Sequence, residues 1–121
     1  MYTIEKIQGN FSISKIESEA DMPHGEFVFI SKTDNEISVV CRDENVPERS
    51  IAVEGGWSMM RIVGTLDFSL IGVLSGILSL LAENGIGVFV ISTCDTDYIL
   101  TKSESFERAL EILSLKGYKI L

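Results

Sequence analysis

Two short polar segments of the sequence carry residues whose types and spacing could bind a small charged molecule. Asp67, Phe68 and Ser69 precede a long apolar stretch, and a Ser-Thr-Cys-Asp segment follows a shorter one at residues 92–95. The unpaired N–H groups of a first helical turn at Ser69 would suit a carboxylate, and an aspartate beside them would suit an ammonium. The same residues also suit structural roles, as a helix N-cap at Asp67 and a turn at 93–96. Both interpretations stay open, and both can hold at once.

Catalytic and metal-binding arrangements are not expected from this sequence. His24 is its only histidine and lies beside Pro23 in a polar segment, where we interpret it as a solvated side chain. A serine or cysteine triad needs a base, and no nucleophile motif accompanies this histidine. Cys41 and Cys94 fit no zinc spacing, and no phosphate-binding glycine loop is present. We therefore predict no catalytic residue, no metal and no cofactor, and two buried, reduced thiols without a disulfide.

Composition bounds the class of protein and its partners. The chain has 121 residues, 45% of them hydrophobic, which is enough for one compact core or two small halves. A formal net charge of −8 argues against nucleic acid and against anionic membrane surfaces as partners. The longest apolar segment, 70–82, is too short to span a bilayer, and the N-terminus does not resemble a signal peptide. These features predict a cytoplasmic protein.

The C-terminal half, 56–121, is predicted to contain two helices and four strands. Apolar residues recur at helical spacing through 70–83, ending at Asn84-Gly85, and again from Ser103, a predicted N-cap, to Lys116-Gly117. Strands are predicted at 57–64, 86–91, 97–101 and 118–121, with a turn at 93–96. The order strand–helix–strand–strand–helix–strand is that of a ferredoxin-like α+β fold, βαββαβ, with both helices on one face of an antiparallel sheet.

The N-terminal half, 1–55, reads as a β-rich, degenerate version of the same order. Residues 11–16 alternate between apolar and polar, and 26–31 with 36–41 form a hairpin around Thr33-Asp-Asn35. Residues 2–8 suggest a loose strand or arm, 42–49 an exposed connection with one helical turn, and 50–54 a short strand. Gly55-Gly56 marks the predicted boundary between the two domains.

Two runs of this sequence carry a resemblance to a known family. RIVGTLDFSLIGVL at 61–74, followed by LAENGIGVFVISTCDTDYIL at 81–100, resembles the ACT domain. The likeness extends over 57–121 and, loosely, over the N-terminal half, in the manner of bacterial tandem ACT proteins whose first half is degenerate. ACT domains are regulatory modules that usually bind amino acids or other small ligands, so the resemblance implies a regulatory protein.

The resemblance also implies a ligand site, formed by the loop after the first strand, the start of the first helix and the following strand. Transferred to this sequence, it falls on these nine residues: Asp67, Phe68, Ser69, Gly72, Val73, Ile91, Ser92, Thr93 and Asp95. Gly72 lies inside the predicted helix, which favours close packing there or the approach of a ligand. Because ACT modules are commonly fused to an enzyme or a DNA-binding domain and none is visible here, the regulated target is expected to be another chain.

Two functions from different classes follow. The first is a cytoplasmic, non-enzymatic regulatory module that binds an amino-acid-like small molecule at a domain or subunit junction, where binding favours one assembly. The alternative is a protein–protein interaction module that dimerises without any small ligand. Since a helix layer covers only one face of the predicted sheet, we expect a homodimer or larger assembly that buries part of the C-terminal half.

Overall fold

A computed structural model of the chain describes residues 2–64 and 72–121. Contacts divide it into two compact units, of which one is Gly9–Trp57 and the other joins Met1–Gln8 to Ser58–Leu121. We call them the N-terminal unit and the C-terminal unit. The predicted domain boundary after residue 55 stays a prediction, and the first eight residues group with the C-terminal unit.

The described residues form seven strands, two α-helices and two short 3-10 helices. The strands are β1 (Thr3–Ile16), β2 (Phe29–Lys32), β3 (Ile37–Arg42), β4 (Ala52–Ile62), β5 (Phe89–Ser92), β6 (Asp97–Lys102) and β7 (Lys119–Ile120). The α-helices are α1 (Val73–Glu83) and α2 (Ser103–Leu115), and the 3-10 helices are Glu19–Asp21 and Asp43–Asn45. The predicted α+β class is confirmed.

The C-terminal unit has the predicted βαββαβ order, from the end of β4 through α1, β5, β6 and α2 to β7. β5 and β6 pair antiparallel, and β6 lies beside β4. The start of β1 is inserted next to β4 and pairs in parallel with β7, with Thr3 opposite Lys119. Both helices cover one face of these strands, where the core contains Ile4, Met60, Ile62, Ile77, Leu81, Ile99 and Leu113. Burial of such aliphatic side chains is the main force holding this unit together.

The N-terminal unit repeats the strand pattern without α-helices. Its strands follow the order β2, β3, β1, β4, and β1 pairs antiparallel with β3 from Phe11 opposite Arg42 to Ile16 opposite Ile37. The two 3-10 helices stand between strands where the C-terminal unit has α1 and α2. Its small core of Ile16, Val39 and Cys41 has the partly buried Val28, Ile37 and Val46 packed against it. This unit is therefore the degenerate, β-rich version that the sequence predicts.

Two predicted interruptions are absent from the structure. Residues 2–8 and 11–16 belong to one strand, β1, and the segments on either side of Gly55-Gly56 belong to one strand, β4. β1 and β4 are neighbours in the sheet, so pairing compensates for the weak strand propensity of glycine. Gly56 has a φ of 82°, a conformation that glycine adopts inside a strand without steric cost.

The beginnings of the two α-helices also differ from prediction. α1 begins at Val73, and Gly72 precedes it with a φ of 85°, so Gly72 lies outside the helix rather than within it. Residues 70 and 71, which the prediction included, lie outside the described residues. Ser103 is the first residue of α2 rather than its N-cap, which is Lys102. The Ser103 hydroxyl lies 2.8 Å from the hydroxyl of Ser58 instead.

Candidate functional site

A cleft of about 260 Å³ opens in the C-terminal unit where β4 ends beside the turn between β5 and β6. Its lining consists of Glu5, Arg61, Ile62, Val63, Gly64, Asp95, Thr96 and Tyr98. Gly64, which precedes in sequence the loop to which the resemblance assigns the family's ligand, belongs to this lining. Charged and polar side chains predominate among these residues, which suits a small charged molecule.

Arg61 is the central charge of the cleft. Its Nε donates to Oε1 of Glu5 at 2.8 Å, and one of its terminal nitrogens donates to the Tyr98 hydroxyl at 3.4 Å. These bonds, to Tyr98 first and then to Glu5, raise the pKa of Arg61, so the guanidinium stays charged. About a third of each partner's side chain remains accessible, 33% for Arg61 and 36% for Glu5. A ligand can therefore approach a guanidinium that is already held in place.

The turn at 93–96 forms one wall of the cleft and is fixed by hydrogen bonds. The Thr93 backbone N–H donates to the Thr96 carbonyl at 2.9 Å, and the Thr96 N–H donates to the Thr93 hydroxyl at 3.3 Å. The Thr96 hydroxyl then donates to the Ile62 carbonyl at 2.7 Å in a buried position. This bond attaches the turn to the end of β4, which places the exposed Asp95 at the rim.

One predicted site residue, Asp95, lines this cleft. Thr93 shapes the turn beside it, the Ser92 hydroxyl donates to the Asp97 carboxylate, and Ile91 lies opposite Tyr98 in the β5–β6 pair. Gly72 and Val73 stand at the start of α1 and do not contribute to the lining. The remaining three, Asp67, Phe68 and Ser69, lie outside the described residues.

Sequence analysis missed the residues at the centre of the cleft, Glu5, Arg61 and Tyr98. The signal was a charged residue among apolar neighbours, because Arg61 follows Met59 and Met60 and precedes Ile62. A charge in such a position is rarely buried unless it is paired. Its partner could not be predicted from local spacing, because Glu5 lies on β1, far from Arg61 in the sequence.

The cleft has the chemistry to hold a zwitterion. A guanidinium binds a carboxylate in a two-pronged geometry, and carboxylates such as those of Glu5 and Asp95 suit an ammonium. Within the described ranges, no group of three or more His, Cys, Asp or Glu residues could hold a metal ion.

The two thiols have different environments. Cys41 is buried, and burial is the main cause that raises its pKa, with the nearby Asp43 and Glu44 adding to the effect. Cys94 is exposed at the tip of the 93–96 turn, so the expectation of two buried thiols is wrong for this residue. Both are free cysteines in the structure, and the absence of a disulfide in the native protein stays a prediction.

Comparison with known proteins identifies the family of this fold. The profile of the ACT domain matches residues 52–114, and a second profile, for an N-terminal domain, matches residues 9–49. An Agobacterium tumefaciens protein of known structure is 31% identical, over 99% of this chain and 92% of its own, with a TM-score of 0.87. The chain belongs to the ACT domain family. No match was found among the curated proteins.

More distant structures share the fold. The regulatory subunit of aspartate kinase from Thermus thermophilus, in ligand-free form, has a TM-score of 0.65 at 11% identity, covering 95% of this chain and 96% of its own. Escherichia coli aspartokinase III, in complex with aspartate and ADP, has a TM-score of 0.65 at 10% identity, covering 93% of this chain and 32% of its own. Membership of the ACT family, whose domains are regulatory modules, confirms the family that the sequence predicted.

In the described part of the chain, no helix is long and apolar enough to cross a membrane.

Proposed function

We propose that this protein is a non-enzymatic regulatory module that binds a free amino acid in the cleft around Arg61. The observation that carries the proposal is the position of Arg61, whose guanidinium is held at the end of β4 by Glu5 and Tyr98 and is still one-third accessible. A bound carboxylate would contact this guanidinium, because Arg offers paired N–H donors that match two carboxylate oxygens. Asp95 at the rim is placed to contact the ligand's ammonium.

The Glu5–Arg61 pair gives binding a means of changing the protein. Glu5 lies on β1 and Arg61 on β4, so a ligand carboxylate that shares or replaces the Glu5 contact alters a bond between two strands. A ligand shifts a conformational equilibrium only through contacts that differ between its two states. This exchange of one carboxylate for another supplies such a difference, and it makes the cleft a regulatory site rather than a catalytic one.

One structural neighbour supports the amino-acid class, since the aspartokinase III structure contains aspartate together with ADP. The Thermus protein, a regulatory subunit in ligand-free form, supports the regulatory role alone. The regulated target of the present chain, its cytoplasmic location, its function without a cofactor and its assembly into a homo-oligomer are part of the same proposal. Completion of the cleft by a second domain or subunit stays a prediction, as does a contribution from Asp67, Phe68 and Ser69.

The experiment is a thermal-shift screen of the twenty amino acids, one at a time, followed by titration of any that stabilise the protein. Arg61→Met should abolish the stabilisation, because it removes the cation while keeping an unbranched side chain. Arg108→Met is the matched control: Arg108 lies on α2, where it donates to the Asn84 carbonyl at 2.9 Å, away from the cleft lining. Glu5→Gln should keep or strengthen binding, since it removes the internal carboxylate that competes for Arg61.

A screen in which no amino acid stabilises the wild-type protein would contradict the proposal. So would a ligand whose effect survives in Arg61→Met to the same extent as in Arg108→Met, because the site would then lie elsewhere.

A further inference from the structure

The described lining of the candidate cleft contains more carboxylates than cations. Its charged residues are Glu5, Arg61 and Asp95, so two carboxylates stand against one guanidinium. A free amino acid brings one carboxylate and one ammonium, which leaves this balance unchanged. A ligand with a further positive charge in its side chain would neutralise the excess, whereas an acidic side chain would double it. Coulomb interactions in the cleft therefore favour a cationic side chain.

The order of the strands places the two carboxylates on opposite sides of Arg61. Because β1, β4 and β6 are consecutive neighbours in the sheet, Glu5 lies on one side of Arg61, and Tyr98 with the turn that contains Asp95 lies on the other. The hydrogen bonds agree with this order, since Nε of Arg61 donates to Glu5 and a terminal nitrogen donates to the Tyr98 hydroxyl. Glu5 and Asp95 can therefore contact different ends of one ligand.

This arrangement gives each part of an amino acid its own partner. With the ligand carboxylate on Arg61 and the ammonium directed to Asp95, the side chain extends towards Glu5 on the adjacent strand, and adjacent strands lie about 4.8 Å apart. The Glu5 side chain is 36% accessible, so a ligand can reach it. When Arg61 is shared with a second carboxylate, the charge of Glu5 is less well compensated, and a cation at the end of the ligand side chain restores the compensation.

The charged residues around the cleft leave this preference in place. Lys6 and Asp97 are next to lining residues in the sequence, carry opposite charges, and are directed by strand alternation to the other face of the sheet. Lys119 on β7 faces the same side as the cleft but lies outside its lining, where water screens its charge. Residues 65–71, which lie outside the described residues, contain one charged residue, Asp67, and it is negative.

We propose that the cleft selects free amino acids whose side chain ends in a cation, either an ammonium or a guanidinium, and that Glu5 accepts this cation. The inference rests on the proposed function, since it takes Arg61 as the partner of the ligand carboxylate. It goes beyond that function by naming the class of side chain. Aspartate, which the aspartokinase III structure contains, is therefore expected to bind poorly to this cleft.

The test compares ligands that differ in side-chain charge but little in size. Isothermal titration calorimetry of the intact protein at physiological ionic strength measures the dissociation constants of lysine against norleucine, arginine against citrulline, and glutamate against glutamine. Each cationic ligand should bind at least about tenfold more tightly than its neutral counterpart, which is the effect of one hydrogen bond between charged groups. Glutamate should bind more weakly than glutamine.

Three near-isosteric variants locate the preference. Glu5→Gln should largely remove the preference for lysine over norleucine, while norleucine binds as well as before or better. Asp95→Asn should weaken both ligands by a similar factor and keep the preference, because both ligands share the ammonium that Asp95 contacts. Asp34→Asn is the control, since Asp34 is an exposed turn residue of the N-terminal unit and its replacement changes the net charge equally; neither constant should change. Circular dichroism shows that each variant is folded.

The outcomes separate this inference from the function on which it rests. Equal affinities for the cationic and neutral ligands, or a preference that survives Glu5→Gln, overturn the inference, while binding that is lost in Arg61→Met still supports the amino-acid site. A preference that also disappears in Asp34→Asn overturns it too, because net charge rather than Glu5 would then be the cause. If no amino acid binds the wild-type protein, the proposed function and the inference both fail.

Discussion

The hydroxyl of Thr96 donates to the backbone carbonyl of Ile62 at 2.7 Å, in a position where Thr96 is only 8% exposed. Thr96 closes the turn between β5 and β6, and Ile62 ends β4, so one side-chain bond connects the two walls of the candidate cleft. A turn of this kind could move relative to a strand end if it were held by its own backbone alone. The bond therefore keeps Asp95 and Arg61 at the same cleft.

Replacing Thr96 by valine should lower stability, because the valine keeps the shape but leaves the Ile62 carbonyl without this donor. A buried polar group that loses its partner costs about 1–3 kcal/mol in the free energy of unfolding. Urea unfolding followed by circular dichroism measures the loss. Ser114→Ala, an exposed change on α2, should stay within about 0.5 kcal/mol of wild type. Equal midpoints for Thr96→Val and wild type would show that the bond does not fix the turn.

Replacing each of two glycines at α1 by alanine should change the free energy of unfolding in opposite directions. Gly72 precedes the helix with a φ of 85°, so an alanine there is strained by about 1–2 kcal/mol, although among the described residues, chain neighbours aside, no atom lies within 4 Å of its Cβ. Gly76 lies within the helix, and a Cβ there would meet the Tyr118 hydroxyl at 3.5 Å, an ordinary van der Waals distance. Gly76→Ala should therefore stabilise the protein by about 1 kcal/mol through helix propensity. Thermal or urea unfolding measures both variants. Changes in the free energy of unfolding in the same direction would refute this account of α1.

The regular elements could be predicted from the sequence because their apolar residues follow the period of a helix or a strand. Two of these apolar stripes line the core. One contains Ile77 and Leu81, and the other contains Phe106, Leu110 and Leu113. The continuity of β1 and β4 could not be predicted in this way. From local sequence alone, glycine predicts the end of a strand. β4 continues through Gly55 and Gly56 because it pairs with β1, which is distant in the sequence.

The candidate site was harder to predict, since it depends on contacts between residues far apart in the sequence. The turn that contains Asp95 could be predicted because its residue types display turn chemistry locally, whereas the place of Asp95 in a ligand site was implied by the family resemblance and stays a prediction. Glu5 and Arg61 meet only because β1 and β4 are neighbours in the sheet, and no local pattern encodes that pairing. The exact register of two strands decides which charges face each other, and a shift of one residue would place them on opposite faces.

The two thiols should differ strongly in reactivity towards an aromatic disulfide reagent. Cys94 is exposed and should react at once in the native protein, whereas the buried Cys41 should react only after unfolding. Burial raises the pKa of Cys41 in the folded state, so the unfolded chain releases this proton first as the pH rises. Stability should therefore fall as the pH rises from the ordinary thiol pKa through the raised one.

Cys94→Ser provides the control for that assignment. The variant should show no rapid reaction in native buffer and one thiol per chain in denaturant. Rapid labelling of native Cys94→Ser would mean that Cys41 is accessible, and it would contradict the burial of Cys41 with Ile16 and Val39 in the core of the N-terminal unit.

The central claim is that Arg61 binds the carboxylate of a free amino acid, and ligand-induced stabilisation measures it most directly. At about 100 times its dissociation constant, a ligand should raise the free energy of unfolding by about 2.7 kcal/mol. For a chain of this size, that corresponds to a rise of roughly 10 °C in the melting temperature. We predict this rise for wild type and for Arg108→Met with at least one amino acid, and its loss in Arg61→Met. An unchanged melting temperature for wild type with every amino acid, or an undiminished rise in Arg61→Met, would contradict the claim.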